Sequence, residues 1–219
     1  MLAKATEKFI NQLRENNHKE WFDAHRTEYL AAKTDFEQLV QQLLDGLAKQ
    51  DATMEALQVK DCVFRIYKDV RFSKDKTPYK SNMGAGFTAG GKKSVKAGYY
   101  FHYQPGGQSF AGGGMWMPAA PELKKVRQEI DYNFDEFQQI VSEKNFVKYF
   151  GKLGGDTLKT VPQGYAPDNP AIEVLRHKSF TVDHHLTDEA CTQPGLVKEI
   201  LRSFAAMQPL MVFLNRALE

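Results

Sequence analysis

Two arginines and an aspartate lie within seven residues of one another in the stretch Phe-Arg-Ile-Tyr-Lys-Asp-Val-Arg-Phe, residues 64–72. A guanidinium group binds carboxylates and phosphates through paired N–H donors. A carboxylate at Asp69 can hold the Arg71 guanidinium in one orientation, ready for an anionic ligand. The pattern therefore predicts a positioned anion-binding group. The alternative is that Arg65, Asp69 and Arg71 form an ion-pair network that only supports the fold.

The residues that follow predict a rigid loop. Pro78 fixes its own backbone and disfavours a helical conformation at Thr77. Lys76, Tyr79 and Lys80 would add two ammonium groups and a phenol, and a lysine with a lowered pKa is able to serve as a base. The predicted ligand-binding residues are Arg65, Asp69, Arg71, Lys76, Tyr79 and Lys80, with Lys178 as a contributor from later in the chain.

Alternation of side chains makes residues 63–72 a predicted strand. The pattern places Ile66, Val70 and Phe72 in the core, and it places Arg65 and Arg71 on a polar face with Asp69. Lys68 breaks the alternation, which indicates a bulge or a side chain that reaches out to solvent. On a straight strand the two arginines would be about 20 Å apart. One small anion therefore needs a bend near Lys68, whereas an extended polyanion does not.

Charge is unevenly distributed along the chain. Residues 60–96 carry ten basic and three acidic side chains, a net charge of +7, although the whole chain carries only +2. This segregation favours an anionic partner. A phosphorylated or otherwise anionic small molecule is the leading prediction. A nucleic-acid-associated protein that uses residues 60–96 is the alternative, for which a pI of about 8.4 is weak support. A third interpretation is a non-catalytic interaction module with a structural loop.

The elements that must position these residues predict a single α+β domain over residues 1–219, with an antiparallel sheet flanked by helices. Residues 1–50 predict a helical hairpin that breaks near Asn16, with its second helix running from Lys19 to Lys49. Residues 61–114 are mainly β and contain the basic loop, and residues 119–219 are mainly helical. The predicted strands cover residues 63–72, 84–88, 98–103, 109–111 and 180–184, and the predicted later helices cover 118–130, a short segment after 135, 171–177 and 196–218.

Two further patterns leave alternatives open. Gly112–Gly114 before a helix could expose backbone amides to an anion, or could allow close packing. Residues 99–103 alternate aromatic side chains between two faces, with Tyr100 and His102 opposite Tyr99 and Phe101. Such a face is either a platform for nucleic-acid bases or part of the core.

Other chemistry has no support in the sequence. The two cysteines, Cys62 and Cys191, lack the spacing of a zinc site and indicate a reducing compartment. His184 and His185 are adjacent on a predicted strand and point to opposite sides, so no metal site is predicted. The N-terminal residues lack the apolar core of a signal peptide, and no apolar run is long enough to cross a membrane. We therefore expect a cytoplasmic protein with no membrane contact, and the sequence identifies neither a cofactor nor a catalytic residue.

The spacing Arg65-x-x-Lys68-Asp69-x-Arg71-Phe72-x-x-x-Lys76-x-x-Tyr79 resembles a known signature, R-x-x-R-D-x-R-F-x-x-x-K-x-x-Y. It is the signature of a widespread bacterial family of uncharacterised proteins, the domain of unknown function 2461. The resemblance continues through residues 19–22, 111–118 and 175–180 and so covers almost the whole chain. Lys68 stands where the signature has arginine, which keeps the charge but loses the planar fork. The family has no established reaction, substrate or cofactor, so the resemblance implies a site without an activity.

Overall fold

Four antiparallel strands form one sheet in chain order, β1-β2-β3-β4, in the computed structural model, which describes residues 1–219. The strands are β1 (Met83–Phe87), β2 (Gly98–Tyr103), β3 (Ser109–Met115) and β4 (Phe180–Leu186). The helices are α1 (Lys4–Glu15), α2 (Lys19–Ala24), α3 (Arg26–Leu47), α4 (Val59–Cys62), α5 (Ala120–Tyr132), α6 (Phe134–Ser142), α7 (Lys144–Phe150), α8 (Ile172–Leu175), α9 (Asp188–Thr192) and α10 (Leu196–Arg216). The predicted α+β class is confirmed. None of the helices combines the length and the apolar character needed to cross a membrane.

The N-terminal helices differ from the prediction at one point. The predicted helix from Lys19 to Lys49 is two helices, because α2 ends and α3 begins at His25. The backbone N–H of His25 bonds the carbonyls of Trp21 and Phe22, and its ring Nδ1 lies 2.8 Å from the carbonyl of Trp21. These contacts satisfy the last carbonyls of α2 and let the chain turn before α3.

The two faces of the sheet have different surroundings. Tyr99 and Phe101 point into a core of 43 buried residues, where Phe101 stacks on Phe36 of α3 and Tyr99 packs on Phe204 of α10. We call this side the core face. The opposite side, the open face, carries Tyr100, His102, Phe110, Asp183 and His185, none of them fully buried. The predicted alternation of residues 99–103 is confirmed.

Glycines in β3 permit close approach between strands. A Cβ atom at Gly114, whose φ is +123°, would lie 2.0 Å from the carbonyl oxygen of Phe180 in β4. A Cβ atom at Gly113 would lie 2.6 Å from the sulfur of Met207 in α10. The glycine run therefore lies within a strand, and the structure supports the close-packing interpretation of this run.

The predicted strand at residues 63–72 is wrong. Only single bridges form there, between Val63 and Ala85 and between Tyr67 and Tyr79. The chain turns back after Lys68, whose N–H donates to the carbonyl of Pro78. Ile66 is buried as expected, but Phe72 is 94% exposed. Side-chain hydrogen bonds within the turn compete with strand pairing and hold residues 69–77 in a loop.

The core prediction also fails at Val70, which is only partly buried. The neighbouring Phe64 is 41% exposed. Phe64 instead packs against the aromatic ring of Tyr100, on the open face of the sheet.

Candidate anion-binding site

The charged loop, residues 68–80, is fixed by bonds among its own side chains. The ammonium group of Lys68 donates to Asp75 at 2.8 Å and to Thr77 Oγ1 at 2.6 Å. Asp75 also accepts hydrogen bonds from the backbone N–H and the hydroxyl of Thr77. Together, the ammonium of Lys68 and the donors of Thr77 hold the pKa of the Asp75 carboxyl well below its usual range. The lysine in the signature's arginine position thus clamps the base of the loop.

Asp69 holds Arg71 as predicted. Oδ1 of Asp69 accepts from Arg71 Nε at 2.9 Å, and Oδ2 accepts from Nη2 at 2.7 Å. This bidentate pair lowers the pKa of Asp69 and raises the pKa of Arg71. The Arg71 side chain is 76% exposed, so the pair lies in solvent. A carboxylate therefore already occupies the guanidinium face best suited to an anion.

The two predicted lysines of the loop bind backbone carbonyls. Lys76 Nζ donates to the carbonyl of Val70, and Lys80 Nζ donates to the carbonyl of Arg65, each at 3.0 Å. Burial and, to a smaller extent, the charge of Arg65 lower the pKa of Lys80. These lysines brace the loop and the backbone that carries Arg65.

Tyr79 and Lys178 lie apart from the exposed charges. The Tyr79 ring is 4% exposed and stacks on Phe22 of α2 with 4.0 Å between ring centroids. Lys178 precedes β4, the edge strand opposite β1, so three strand spacings of about 4.8 Å separate the two edges. The structure brings together Asp69, Arg71 and Lys76, with Arg65 and Lys80 at the base of the loop, but it does not bring Lys178 to them.

A cleft of about 460 Å³ opens beside Arg65. We call it the basic cleft. Its charged lining residues are Lys33 and Glu37 of α3, Lys60 of α4, Arg65 and Lys92. Phe64, Tyr67 and Tyr29 supply aromatic wall. Four basic side chains thus face one acidic side chain in a concave space.

The charges of the basic cleft differ in their partners. Glu37 pairs with Lys33 at 3.3 Å. Lys92 Nζ donates to the carbonyls of Lys60 and Val63, and these two hydrogen bonds brace the end of α4. The guanidinium of Arg65 and the ammonium of Lys60 make no hydrogen bond or ion pair; the only side-chain bond at Arg65 is the one its carbonyl accepts from Lys80. Two cations in the cleft therefore make no direct ion pair, although the charge of Arg65 contributes to the lowered pKa of Asp69.

The sequence indicated only part of this cleft. Lys60 and Lys92 belong to the basic segment 60–96, although no pattern assigned them to a site. Lys33 and Glu37 have the spacing of an ordinary surface pair on a helix, and nothing in the sequence links them to Arg65. Only the packing of α3 beside residues 63–67 brings them together.

The cysteines and the paired histidines lie outside this arrangement. Both cysteines are free and buried, and burial raises the pKa of the Cys62 thiol to about 11. His184 lies 3.3 Å from Glu199 of α10, whereas His185 lies 3.0 Å from Asp183 on the open face. The two rings point to opposite sides, as predicted. No three His, Cys, Asp or Glu side chains converge in a geometry suited to a metal ion.

Residues 5–213 match the family model described as "Conserved hypothetical protein (DUF2461)". No curated protein and no solved structure matches the chain.

Proposed function

The chain belongs to the DUF2461 family, and we propose that it binds a phosphorylated or other anionic small ligand in the basic cleft, with Arg65 as the principal contact. The observation that carries the proposal is that Arg65 lines a concave basic space and that its side chain makes no hydrogen bond or direct ion pair. An arginine in this setting offers both N–H edges to a phosphate or carboxylate.

The size and the lining of the cleft suit a small molecule. Its volume of about 460 Å³ falls in the range of small-molecule sites. Lys60 provides a second cation that makes no direct ion pair, and Lys92 adds a third ammonium group, bound to the carbonyls of Lys60 and Val63. We expect a doubly charged anion to interact with both Arg65 and Lys60. Opposite charges attract more strongly beside a partly dry wall than in bulk water, which would strengthen this interaction.

The charged loop has a supporting role in this proposal. Lys80 fixes the carbonyl of Arg65, and Lys68 fixes the turn through which the loop leaves the cleft. Arg71 is already paired with Asp69. We therefore place the ligand at Arg65 and not at Arg71.

Calorimetric titration with inorganic phosphate, pyrophosphate and citrate tests the proposal. We expect Arg65→Gln to weaken binding of the preferred anion at least about tenfold, because a charge-assisted contact contributes roughly 1.5–3 kcal/mol. Arg202→Gln is the matched control, because it removes an equal charge from an exposed position on α10. Equal affinities in the two variants, or no binding of any of the three anions by the unmodified protein, would refute the proposal.

A further inference from the structure

The open face of the sheet presents a connected group of aromatic rings. His102 stacks on Phe110 with 4.9 Å between centroids and 15° between planes, and Tyr100 lies 5.7 Å from Phe110. Phe64 extends the group, with its centroid 6.1 Å from that of Tyr100. All four rings are partly accessible to solvent. We call Phe64, Tyr100, His102 and Phe110 the aromatic platform.

Glycines let these rings lie against the sheet. A Cβ atom at Gly84 would lie 2.5 Å from the hydroxyl of Tyr100, and one at Gly86 would lie 3.4 Å from the Phe64 ring. A larger residue at Gly84 would lift Tyr100 from the strands. The rings therefore lie directly over glycine residues. Because glycine has no side chain, the rings lie close to the strands and their outer surface stays accessible.

Hydrogen bonds hold the platform in one arrangement. The Tyr100 hydroxyl lies 3.1 Å from Nδ1 of His102, and Nε2 of His102 lies 3.0 Å from Oε1 of Gln104. Both nitrogens of the imidazole are thus engaged, and burial lowers the pKa of His102. An imidazole that is neutral at pH 7 leaves a flat, uncharged surface suited to stacking against another ring.

Phe64 joins the platform to the basic cleft. Its ring packs on Tyr100 and also lines the cleft that holds Arg65 and Lys60. Lys80 Nζ lies 5.8 Å from the centroid of the same ring. The Phe64 ring therefore belongs both to the aromatic platform and to the wall of the basic cleft.

We infer that the anionic ligand is a nucleotide, whose base stacks on Phe64 of the aromatic platform, beside the inclined ring of Tyr100, while its phosphate binds in the basic cleft. The phosphate half of this inference rests on the proposed function, whereas the base half rests on the ring geometry. A free nucleotide and a nucleotide within a single strand share this chemistry, because both join a planar base to a phosphate.

Titration with adenosine monophosphate, ribose 5-phosphate and adenosine separates the two halves. We expect adenosine monophosphate to bind at least about tenfold more tightly than ribose 5-phosphate, the gain that one stacked base provides. Phe64→Leu keeps an apolar side chain on Gly86 but removes the ring, so it should abolish the difference in affinity between adenosine monophosphate and ribose 5-phosphate. Tyr132→Leu, at an exposed tyrosine of α5, is the control and should preserve the gain. Phe110→Leu serves as a second platform variant.

The outcomes separate the two proposals. Equal affinities for adenosine monophosphate and ribose 5-phosphate would overturn the base platform and leave the anion cleft intact; the rings would then only cover glycines. Binding of adenosine that depends on Phe64, without binding of ribose 5-phosphate, would refute the cleft and support the platform. If neither adenosine nor adenosine monophosphate binds, the inference is wrong.

A ten-residue deoxyadenosine oligonucleotide identifies the source of the base. Much tighter binding of the oligonucleotide than of adenosine monophosphate, with a steep salt dependence, would assign the platform to a single strand. Comparable affinities would assign it to a free nucleotide. Both results support the inference.

Discussion

The charged loop and the basic cleft both belong to the most basic part of the chain, yet they use their charges differently. In the loop, Lys68 pairs with Asp75 and Arg71 pairs with Asp69. In the cleft, Arg65 and Lys60 line a concave space and make no direct ion pair. A high density of charge in a sequence therefore indicates a candidate binding region. Whether each charge is available to a ligand depends on whether it is already paired within the protein.

The largest effect on stability should come from Tyr79, whose buried ring anchors the charged loop. Tyr79→Ala removes a buried ring that stacks on Phe22, so we expect a loss of about 3–5 kcal/mol in the free energy of unfolding, as for other large-to-small changes in cores. Urea denaturation measures it. Tyr132→Ala removes a tyrosine that is 73% exposed and should change the free energy little. A small effect at Tyr79 would contradict its structural role and return it to the list of ligand contacts.

The ion pair between Lys68 and Asp75 at the base of the charged loop predicts that stability decreases at acidic pH. The lowered pKa of Asp75 means that its contribution to stability is complete above the ordinary aspartate pKa of about 3.9 and declines as the pH falls below that value. We therefore expect the urea midpoint of Asp75→Asn to fall less between pH 5 and pH 3 than the midpoint of the unmodified protein. Trypsin should also cut the variant faster at Lys74 and Lys76 at neutral pH. Identical acid profiles for the variant and the unmodified protein would show that the clamp does not act on stability.

Cys62 reports on the integrity of the cleft wall. Its thiol is buried at the end of α4, where Lys92 binds the carbonyls of Lys60 and Val63. Since burial raises the thiol pKa to about 11, a thiol reagent at pH 8 should label it far more slowly than free cysteine. Labelling is measured in a Cys191→Ala background. Adding Lys92→Met should accelerate labelling, and an unchanged rate would mean that Lys92 does not hold this wall.

The smallest effect should come from the exposed pair in the loop. Arg71→Ala and Asp69→Asn change groups that lie in solvent, so we expect urea midpoints close to that of the unmodified protein. Large decreases in both midpoints, with normal slopes, would show that the pair supports the fold. That result would contradict the small contribution expected of an ion pair in solvent.

Local patterns predicted those parts of the fold whose stability is decided locally. The predicted break of the helical hairpin near Asn16 coincides with the end of α1, and alternation in residues 98–103 predicted β2 with its bounds. Alternation misled at residues 63–72, because the bonds of Lys68 and Asp75 decide the turn. Two residues seven positions apart in sequence leave no periodic signal of such a contact.

The candidate site was predictable in the loop and not in the cleft. The short spacing of Asp69 and Arg71 predicted their pairing correctly. The basic cleft depends on how α3 lies beside residues 63–67, and this tertiary contact brings Lys33 and Glu37 to Arg65. The link between Phe64 and Tyr100 likewise depends on where the chain crosses the open face.

The central claim is that Arg65, and not Arg71, is the available cation. Calorimetric titration of pyrophosphate into Arg65→Gln and Arg71→Gln, side by side, tests it most directly. We expect Arg65→Gln to weaken binding at least about tenfold, because a charge-assisted contact is lost, whereas the affinity of Arg71→Gln should stay within about twofold of that of the unmodified protein. The reverse order, with the larger loss at Arg71, would contradict it.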